Sequence, residues 1–420
     1  MLSLLILSAA ITAQPEPVLL CNGIRVENIN PATMIHVRLG EVGDQEPALQ
    51  EGGYAISAAN GAREVATALT GNAGVFYGYA RLSARFTPCK ADQRSLIPEK
   101  RDPISRFFAG KQVDKVLQIR VTVTPINVSS ATTLAGIHRK SGKGGEEWST
   151  DVENGMVLLP YVRIDENTLI RVQADFTATR EYNSSIGSDV LGIVKRASAL
   201  ISPAAPLITD QNKDRFNDAA TFFDSTINGL LKVSVLEKPG RTFAIADRPG
   251  RQDLAVVTLV VPWANDVYPS AKSSMIAIGQ WTIYAEPLRR SMLAKVDDAG
   301  QVVPGSFTSA TVMNFGVAEN KTLGEALAGS SDIIAARDSL VGAEVGDSTD
   351  SGRVFCRAVQ REAERLELAP IDAGLAAWAA LADLALPDAK MTNAMAGCNR
   401  IEHFRAVAVA SSADLADANN

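Results

Sequence analysis

Histidine is scarce in this 420-residue chain, and its three copies, His36, His138 and His403, lie far apart in the sequence. Nucleophilic catalytic sites and zinc sites usually recruit histidine. The motifs that would anchor such sites are missing too: there is no Gly-x-Ser-x-Gly turn, no His-Glu-x-x-His helix and no Ser-x-x-Lys pair. We therefore predict no catalytic residue, no cofactor and no bound metal.

Clusters of positive charge are also absent from the linear sequence. The formal net charge is −6, and the sequence pI is about 5.4. Nucleic acids and anionic membranes attract basic surfaces, so both are predicted to be poor partners. A protein partner or a second copy of this chain is the kind of contact that the sequence favours.

After the first residues, no apolar run is long enough to cross a bilayer of about 30 Å as a helix. Residues 2–13 are uncharged, almost wholly apolar and rich in alanine toward their end. This is typical of a signal peptide, although the positively charged leader is missing. We assign residues 1–13 to a signal peptide cleaved near Ala10 or Ala13, and we expect a periplasmic or extracellular bacterial protein without a transmembrane segment. The alternative is a buried N-terminal strand or helix.

Four cysteines accompany this signal-like start. Cys21 and Cys89 bracket a strand-rich segment, and Cys356 and Cys398 bracket a helical one. An even count split in this way favours one local disulfide in each segment, although four cysteines allow three pairings. Four separate buried thiols are the simpler alternative, and the lack of a Cys-x-x-Cys pair argues against a metal site.

The most strongly patterned stretch is a predicted helical hairpin at residues 186–231. The connection at 202–206 contains two prolines and must break the helix before it. Thr209 or Asp210 then caps a second arm. Apolar residues recur at helical spacing in both arms: Val190, Leu191, Val194, Ala197, Leu200 and Ile201 in the first, and Phe216, Ala220, Phe223, Ile227, Leu230 and Leu231 in the second.

Strands are predicted on both sides of this hairpin. Residues 117–124 and 170–178 alternate between apolar and polar side chains, as in strands with one buried face, and residues 231–235 do so more briefly. The run at 254–261 is apolar on both faces, which suits a central strand. Because helices do not alternate regularly with strands, we predict an α+β fold with mainly antiparallel strands, an inserted helical hairpin and a small C-terminal helical unit.

Composition and turn signals divide the chain into five parts. They are a signal peptide at 1–13, a strand-rich N-terminal segment at 21–110 that ends in a linker, a β-rich domain at 111–320 with the hairpin at 186–231, a helical C-terminal region at 321–410, and a disordered tail at 411–420.

Finer patterns predict local elements within these parts. Apolar residues at 62–69 indicate a short helix, and those at 323–340 indicate one longer helix. The polar run 347–352 is interpreted as a hinge. Apolar stripes at 355–366 and 371–384 then predict two helices, and Pro387 opens a third.

Two segments resemble binding loops but lack residues that those loops require. Residues 138–145 resemble a phosphate-binding loop, yet Ile137 stands where the first glycine is required and Gly144 replaces the magnesium-binding Ser or Thr. This loop is predicted to be a solvated hairpin connection. Residues 210–214 open like a calcium loop, but Arg215 occupies the glycine position, so helix capping is the simpler interpretation.

Two further features invite a functional interpretation. Glu146 and Glu147 beside Trp148 suggest a glycosidase pair, but adjacent residues usually point apart, which disfavours this. Trp263, Trp281 and Tyr284 are candidates for a ligand surface, although aromatic residues in strands belong first to the core.

Taken together, these features favour an exported, non-catalytic bacterial envelope protein that acts through protein contacts. The alternatives are a periplasmic hydrolase whose carboxylates are distant in sequence, and a protein that binds a small ligand. The hydrolase would require a cleft that holds two acidic side chains, one with a raised pKa.

Overall fold

The structure is a computed structural model of the chain. It describes residues 18–19, 25–26, 53–59, 61–65, 76–88, 115–124, 126–142, 145–152, 155–178, 207–209, 212–218, 220–221, 240–262, 275–297, 300–318 and 320–398. The predicted signal peptide, the linker, the tail at 411–420 and most of the hairpin lie outside the described residues, as do Cys21 and Cys89.

Strands form two large antiparallel sheets and one short ribbon. The strands are β1 (Val18–Leu19), β2 (Arg25–Val26), β3 (Gly53–Ala58), β4 (Arg63–Glu64), β5 (Phe76–Pro88), β6 (Lys115–Thr124), β7 (Val128–Gly142), β8 (Gly145–Val152), β9 (Gly155–Asp165), β10 (Leu169–Ala178), β11 (Gly240–Ala244), β12 (Gln252–Pro262), β13 (Met275–Ala285), β14 (Gly316–Ala318) and β15 (Lys321–Thr322).

The first sheet has seven strands, in which β3, β12, β13, β5 and β9 are successive neighbours and the short β1 and β2 extend it beside β13. Only the short pairing of β1 with β13 is parallel. The second sheet has six strands in the order β4, β11, β10, β6, β7 and β8, and all its pairings are antiparallel. The remaining ribbon pairs β14 with β15.

Strand β10 shows why the sequence folds in this way. Its apolar residues Ile170, Val172 and Ala174 are fully buried, whereas Arg171 between them is exposed. Alternation with a period of two places one face of a strand in the core and the other toward solvent. The strand predicted at 170–178 is therefore confirmed, and Val172 lies opposite Val121 of β6.

The two large sheets share one apolar core. Leu82, Val121, Phe243 and Trp281, contributed by both sheets, are essentially inaccessible to solvent within it. Hydrogen bonds also join the sheets near their edges: Ser130 Oγ of β7 donates to the carbonyl of Leu158 in β9 at 2.7 Å. Arg241 Nε of β11 donates to the carbonyl of Ile56 in β3 at 3.1 Å.

Besides a short helical stretch at 213–218, six helices of the described residues follow the last long strand. They are α1 (Ser309–Met313), α2 (Leu323–Ala328), α3 (Ser331–Gly342), α4 (Ser348–Arg365), α5 (Pro370–Ala382) and α6 (Asp388–Gly397). A second apolar core forms between these helices and the outer face of the first sheet, where Tyr79 and Tyr161 take part in it. Antiparallel sheets and several helices thus confirm the predicted α+β class.

Helix α4 packs against α3, α5 and α6, and small residues allow the closest approach. A Cβ atom at Gly352 would lie 2.5 Å from the carbonyl oxygen of Ala394. A disulfide between Cys356 and Cys398 joins α4 to the end of α6, with the Cα atoms 5.6 Å apart. Lys390 of α6 donates to the carbonyl of Val341 at 2.7 Å and so caps the end of α3.

Three local predictions are wrong. The helix predicted at 62–69 is wrong at 63–64, where β4 pairs with β11 in the second sheet, and residues 66–69 lie outside the described residues. The single helix predicted at 323–340 is two helices, α2 and α3, because Gly329 ends the first. The predicted hinge at 347–352 is mostly the first turn of α4, since its polar residues lie at a helix start.

Among the helices of the described ranges, none combines the length and the apolar character that crossing a membrane requires. The division of the chain into domains stays a prediction.

Candidate functional site

A buried carboxyl group lies where the helices meet the first sheet. Asp372 is the third residue of α5 and is fully buried. Its Oδ2 accepts hydrogen bonds from the hydroxyl of Tyr79 at 2.7 Å and from the backbone N–H of Met292 at 3.0 Å. Its Oδ1 accepts from the hydroxyl of Ser291 and, at 3.4 Å, from the N–H of Leu293. We call this group the Asp372 junction.

Tyr79 completes the junction from the sheet. This β5 residue is fully buried, and its hydroxyl oxygen accepts a hydrogen bond from the N–H of Ala369, the residue before α5. The tyrosine thus satisfies a free N–H group at the start of α5 while it donates to Asp372 in the first turn. Hydrogen bonds of Tyr79 therefore link strand β5 to the first turn of helix α5.

Burial is the strongest influence on the two titratable groups. It raises the pKa of Asp372, and hydrogen bonds from the Met292 N–H, Ser291 and Tyr79 oppose that rise. Burial, followed by the adjacent Asp372 carboxylate, raises the pKa of Tyr79 well above its ordinary value. Every partner of the Asp372 carboxyl group is a donor, which is the arrangement that an ionised carboxylate requires.

The junction contains a serine and a carboxylate, but its geometry is that of a structural contact. The Ser291 hydroxyl donates to Asp372, and its oxygen also accepts from the N–H groups of Leu293 and Ala294 at 3.1 and 3.0 Å. Ser291 is buried, so a substrate carbonyl has no room to approach its oxygen. If Ser291 were a nucleophile, its general base would have to lie within hydrogen-bond reach of its hydroxyl group. The group in that position is the Asp372 carboxylate, which already accepts four hydrogen bonds.

A small pocket opens beside the junction. Its volume is about 320 Å³, and its lining includes apolar side chains and three hydroxyl groups: Met292, Leu293, Gly305, Ser306, Phe307, Thr308, Thr311 and Phe315. Ser306 Oγ donates to the carbonyl of Val303 at 2.6 Å. The hydroxyl groups of Thr308 and Thr311 belong to the capping box of α1. The lining contains no acidic side chain.

Of the residues that the sequence singled out, His36, Trp263 and His403 lie outside the described residues. The others lie on several strands of the two sheets. Trp281 is buried in the core between the sheets, and Tyr284 lies beside Arg251, whose guanidinium carbon is 4.7 Å from the ring centroid. Glu146, Glu147 and Trp148 all lie in β8, while His138 lies in β7. The connection predicted at 138–145 is a hairpin, but β7 extends to Gly142, so most of it is strand.

The calcium-like segment does form a helix start. Residues 213–218 are helical, and Asn212 is buried before them. Its side chain accepts from the N–H of Thr209 at 2.8 Å and donates to the carbonyl of Leu207 at 2.9 Å. Across the part of the chain that the structure describes, no three His, Cys, Asp or Glu residues are grouped as a metal site requires.

Sequence reasoning missed the Asp372 junction altogether. An aspartate in the first turn of a helix is ordinary, because it complements the helix dipole. Only its burial distinguishes Asp372, and that depends on residues from β5 and from the segment after β13. Comparison of the chain with protein-family models, with curated proteins and with solved structures finds no significant match.

Proposed function

We propose that this chain is an exported, non-catalytic protein that acts by binding another protein. The observation that carries the proposal is the exposure of aliphatic side chains on the helical part. Five large hydrophobic residues are exposed within the described ranges, and four of them lie between residues 334 and 354: Ile334, Val341, Val345 and Val354. Exposed apolar side chains on neighbouring helices are candidates for an interaction surface.

The helices that carry the exposed residues are held in place by packing, a disulfide and hydrogen bonds. They belong to α3, to the segment after it and to α4, and α3 packs directly against α4. The disulfide at Cys356 and the Lys390 contact to the end of α3 both restrain this region. Side chains on a rigid support lose less entropy on binding, which favours recognition. Export is supported by the signal-like start and by the disulfide, which is characteristic of oxidising compartments.

The test compares the tagged full-length chain with two variants. Val341→Lys combined with Val345→Lys places charge at the end of α3 and in the turn that follows it. Val157→Lys does the same on β9, where the valine is 37% exposed. Native purification from the envelope of the source cells, followed by light scattering, measures the mass and stoichiometry of each complex.

We expect the wild-type chain and the β9 variant to elute as a complex of fixed stoichiometry, with another protein or with a second copy. The double variant should elute as the free chain. A wild-type chain that is monomeric and free of any stoichiometric partner would contradict the proposal, and so would a complex that the double variant keeps.

The pocket beside the Asp372 junction favours a second function, the binding of a small, mainly apolar ligand. Its volume of about 320 Å³ is at the lower end of the range for ligand pockets. Titration with indole tests this while NMR follows the methyl group of Met292. A saturable shift of that signal supports ligand binding, and an unchanged signal at the solubility limit of indole excludes an aromatic ligand of this size.

A further inference from the structure

Four arginines follow one another along the outer side of α4. Arg353, Arg357, Arg361 and Arg365 recur at every fourth position, and all four are exposed. Residues four apart are neighbours on a helix surface, so the side chains form a continuous arginine stripe. At a rise of 1.5 Å per residue, the stripe spans about 18 Å.

The two ends of the stripe are partly neutralised, but its centre is not. Arg353 forms an ion pair with Asp350 at 2.9 Å, and Arg365 forms one with Glu362 at 2.8 Å. Arg361 Nε donates at 3.3 Å to a carbonyl group, that of Arg357. Within the described residues, neither central arginine is paired with a carboxylate.

A valine interrupts this charged surface. Val354 is 55% exposed, and at 100° per residue it falls within the arc that the arginines cover. An aliphatic group beside guanidinium groups suits a protein partner, because protein interfaces combine apolar contacts with arginine. A phosphate polymer would gain nothing from this valine. The remaining exposed acid of the arc, Glu364, limits the net positive charge further.

We infer that the arginine stripe of α4 binds an acidic helix of a partner protein, with carboxylates at every fourth position and an aliphatic side chain against Val354. Guanidinium groups bind carboxylates in a bidentate geometry, and a helix with matched spacing meets all four at once. A second copy of α4 is excluded as the partner helix, since it would place arginine against arginine. This inference rests on the proposed function and specifies the partner's chemistry.

The test uses the full-length chain and a helical peptide of about 16 residues, long enough to span the stripe. The peptide carries glutamate at every fourth position and one leucine beside them. A second peptide of the same composition has its glutamates at every other position, so that they are divided between two opposite sides of the helix. The variants are Arg357→Glu with Arg361→Glu on the stripe, and Arg337→Glu on α3 as the control.

We expect the matched peptide to bind the wild-type chain and the Arg337→Glu variant equally well. The double variant should bind it about tenfold more weakly, because two attractions become repulsions. The second peptide should bind more weakly than the first, and added salt should reduce the affinity of the first.

Two results would overturn the inference. One is the absence of binding by the matched peptide. The other is tighter binding of a single-stranded oligonucleotide, or of phosphatidylglycerol vesicles, that the double variant loses, because the stripe would then recognise phosphate rather than a helix. If the stoichiometric complex of the native purification persists in Arg357→Glu with Arg361→Glu but is lost in Val341→Lys with Val345→Lys, the inference fails while the proposed function stands.

Discussion

The hydroxyl group of Tyr79 and the carboxylate of Asp372 form a buried hydrogen bond of 2.7 Å, although 293 positions separate them in the sequence. The bond links the first sheet to the helices at a point from which solvent is excluded. Buried polar contacts of this kind are costly to disrupt, because the partner left behind loses its hydrogen bond without regaining water.

Replacing Tyr79 with phenylalanine removes this hydrogen bond and keeps the ring. Asp372 then loses a donor, and the N–H of Ala369 loses its acceptor. We expect the free energy of unfolding to fall by about 1 to 3 kcal/mol, as measured by urea denaturation. Tyr284→Phe is the matched control, because that ring is only half-buried. An equal fall in the free energy of unfolding of both variants would contradict a stabilising role for the Asp372 junction.

Asp372 should make stability depend on pH in a defined direction. Burial raises the pKa of its carboxyl group above the ordinary value of 3.8. Its contribution to stability is therefore fully present below the unfolded-state pKa and is lost as the pH rises through the folded-state pKa. We expect the stability of the wild type relative to Asp372→Asn to fall as the pH rises above the unfolded-state pKa of about 3.9. A difference that rises with pH would contradict this.

Glu325 should show the opposite dependence. Hydrogen bonds from the N–H and then the hydroxyl of Thr322 lower the pKa of its carboxyl group below 4.5. Its contribution is present above the unfolded-state pKa and is lost as the pH falls through the folded-state pKa. The stability of the wild type relative to Glu325→Gln, which retains the capping hydrogen bonds, should therefore decrease on acidification. Urea denaturation over the same pH series measures both variants.

Removal of the disulfide should destabilise the chain measurably. Cys356 and Cys398 are 42 residues apart, and a bond that closes a loop of this length is expected to contribute about 4 kcal/mol. The double variant Cys356→Ser with Cys398→Ser should lower the free energy of unfolding by up to this amount. Denaturation of the wild type with and without a reductant provides an independent comparison, and identical midpoints would contradict the prediction.

Gly352 should tolerate no side chain. A Cβ atom there would overlap the backbone of α6 at Ala394, so Gly352→Ala must push the two helices apart. Overpacking of this kind costs about 1 to 3 kcal/mol, measured as a loss of thermal stability. Gly342→Ala at the end of α3 is the control, since a Cβ atom there meets open space. Equal stability of the two variants would refute the close contact.

The strands were the most predictable part of the fold. A strand with one buried face shows its period in its own residues, as Ile170 and Val172 do, and no distant information is required. The helix predicted over 62–69 is wrong at 63–64, because the pairing of β4 with β11 overrides a local pattern of apolar residues there. Gly352 was interpreted as part of a hinge because it ends a run of polar residues. Its packing partner, Ala394, lies on another helix, which a local pattern does not show.

The candidate sites were less predictable for a related reason. Residues of β5 and of the segment after β13 bury Asp372 and donate hydrogen bonds to it. No residue near Asp372 in the sequence indicates these contacts. The arginine stripe is hidden in the linear sequence because Glu362 and Glu364 lie between Arg361 and Arg365. Only the helical path of α4 brings the arginines together on one side.

The sulfur atoms of Cys356 and Cys398 belong to residues that are each only 2% exposed. A dissolved thiol can attack them only after the contact between α4 and α6 has opened. The rate of reduction under native conditions therefore counts the openings of that contact. The reduction rate of the disulfide thus reports how often α4 and α6 separate, and a partner that binds α4 should lower this rate.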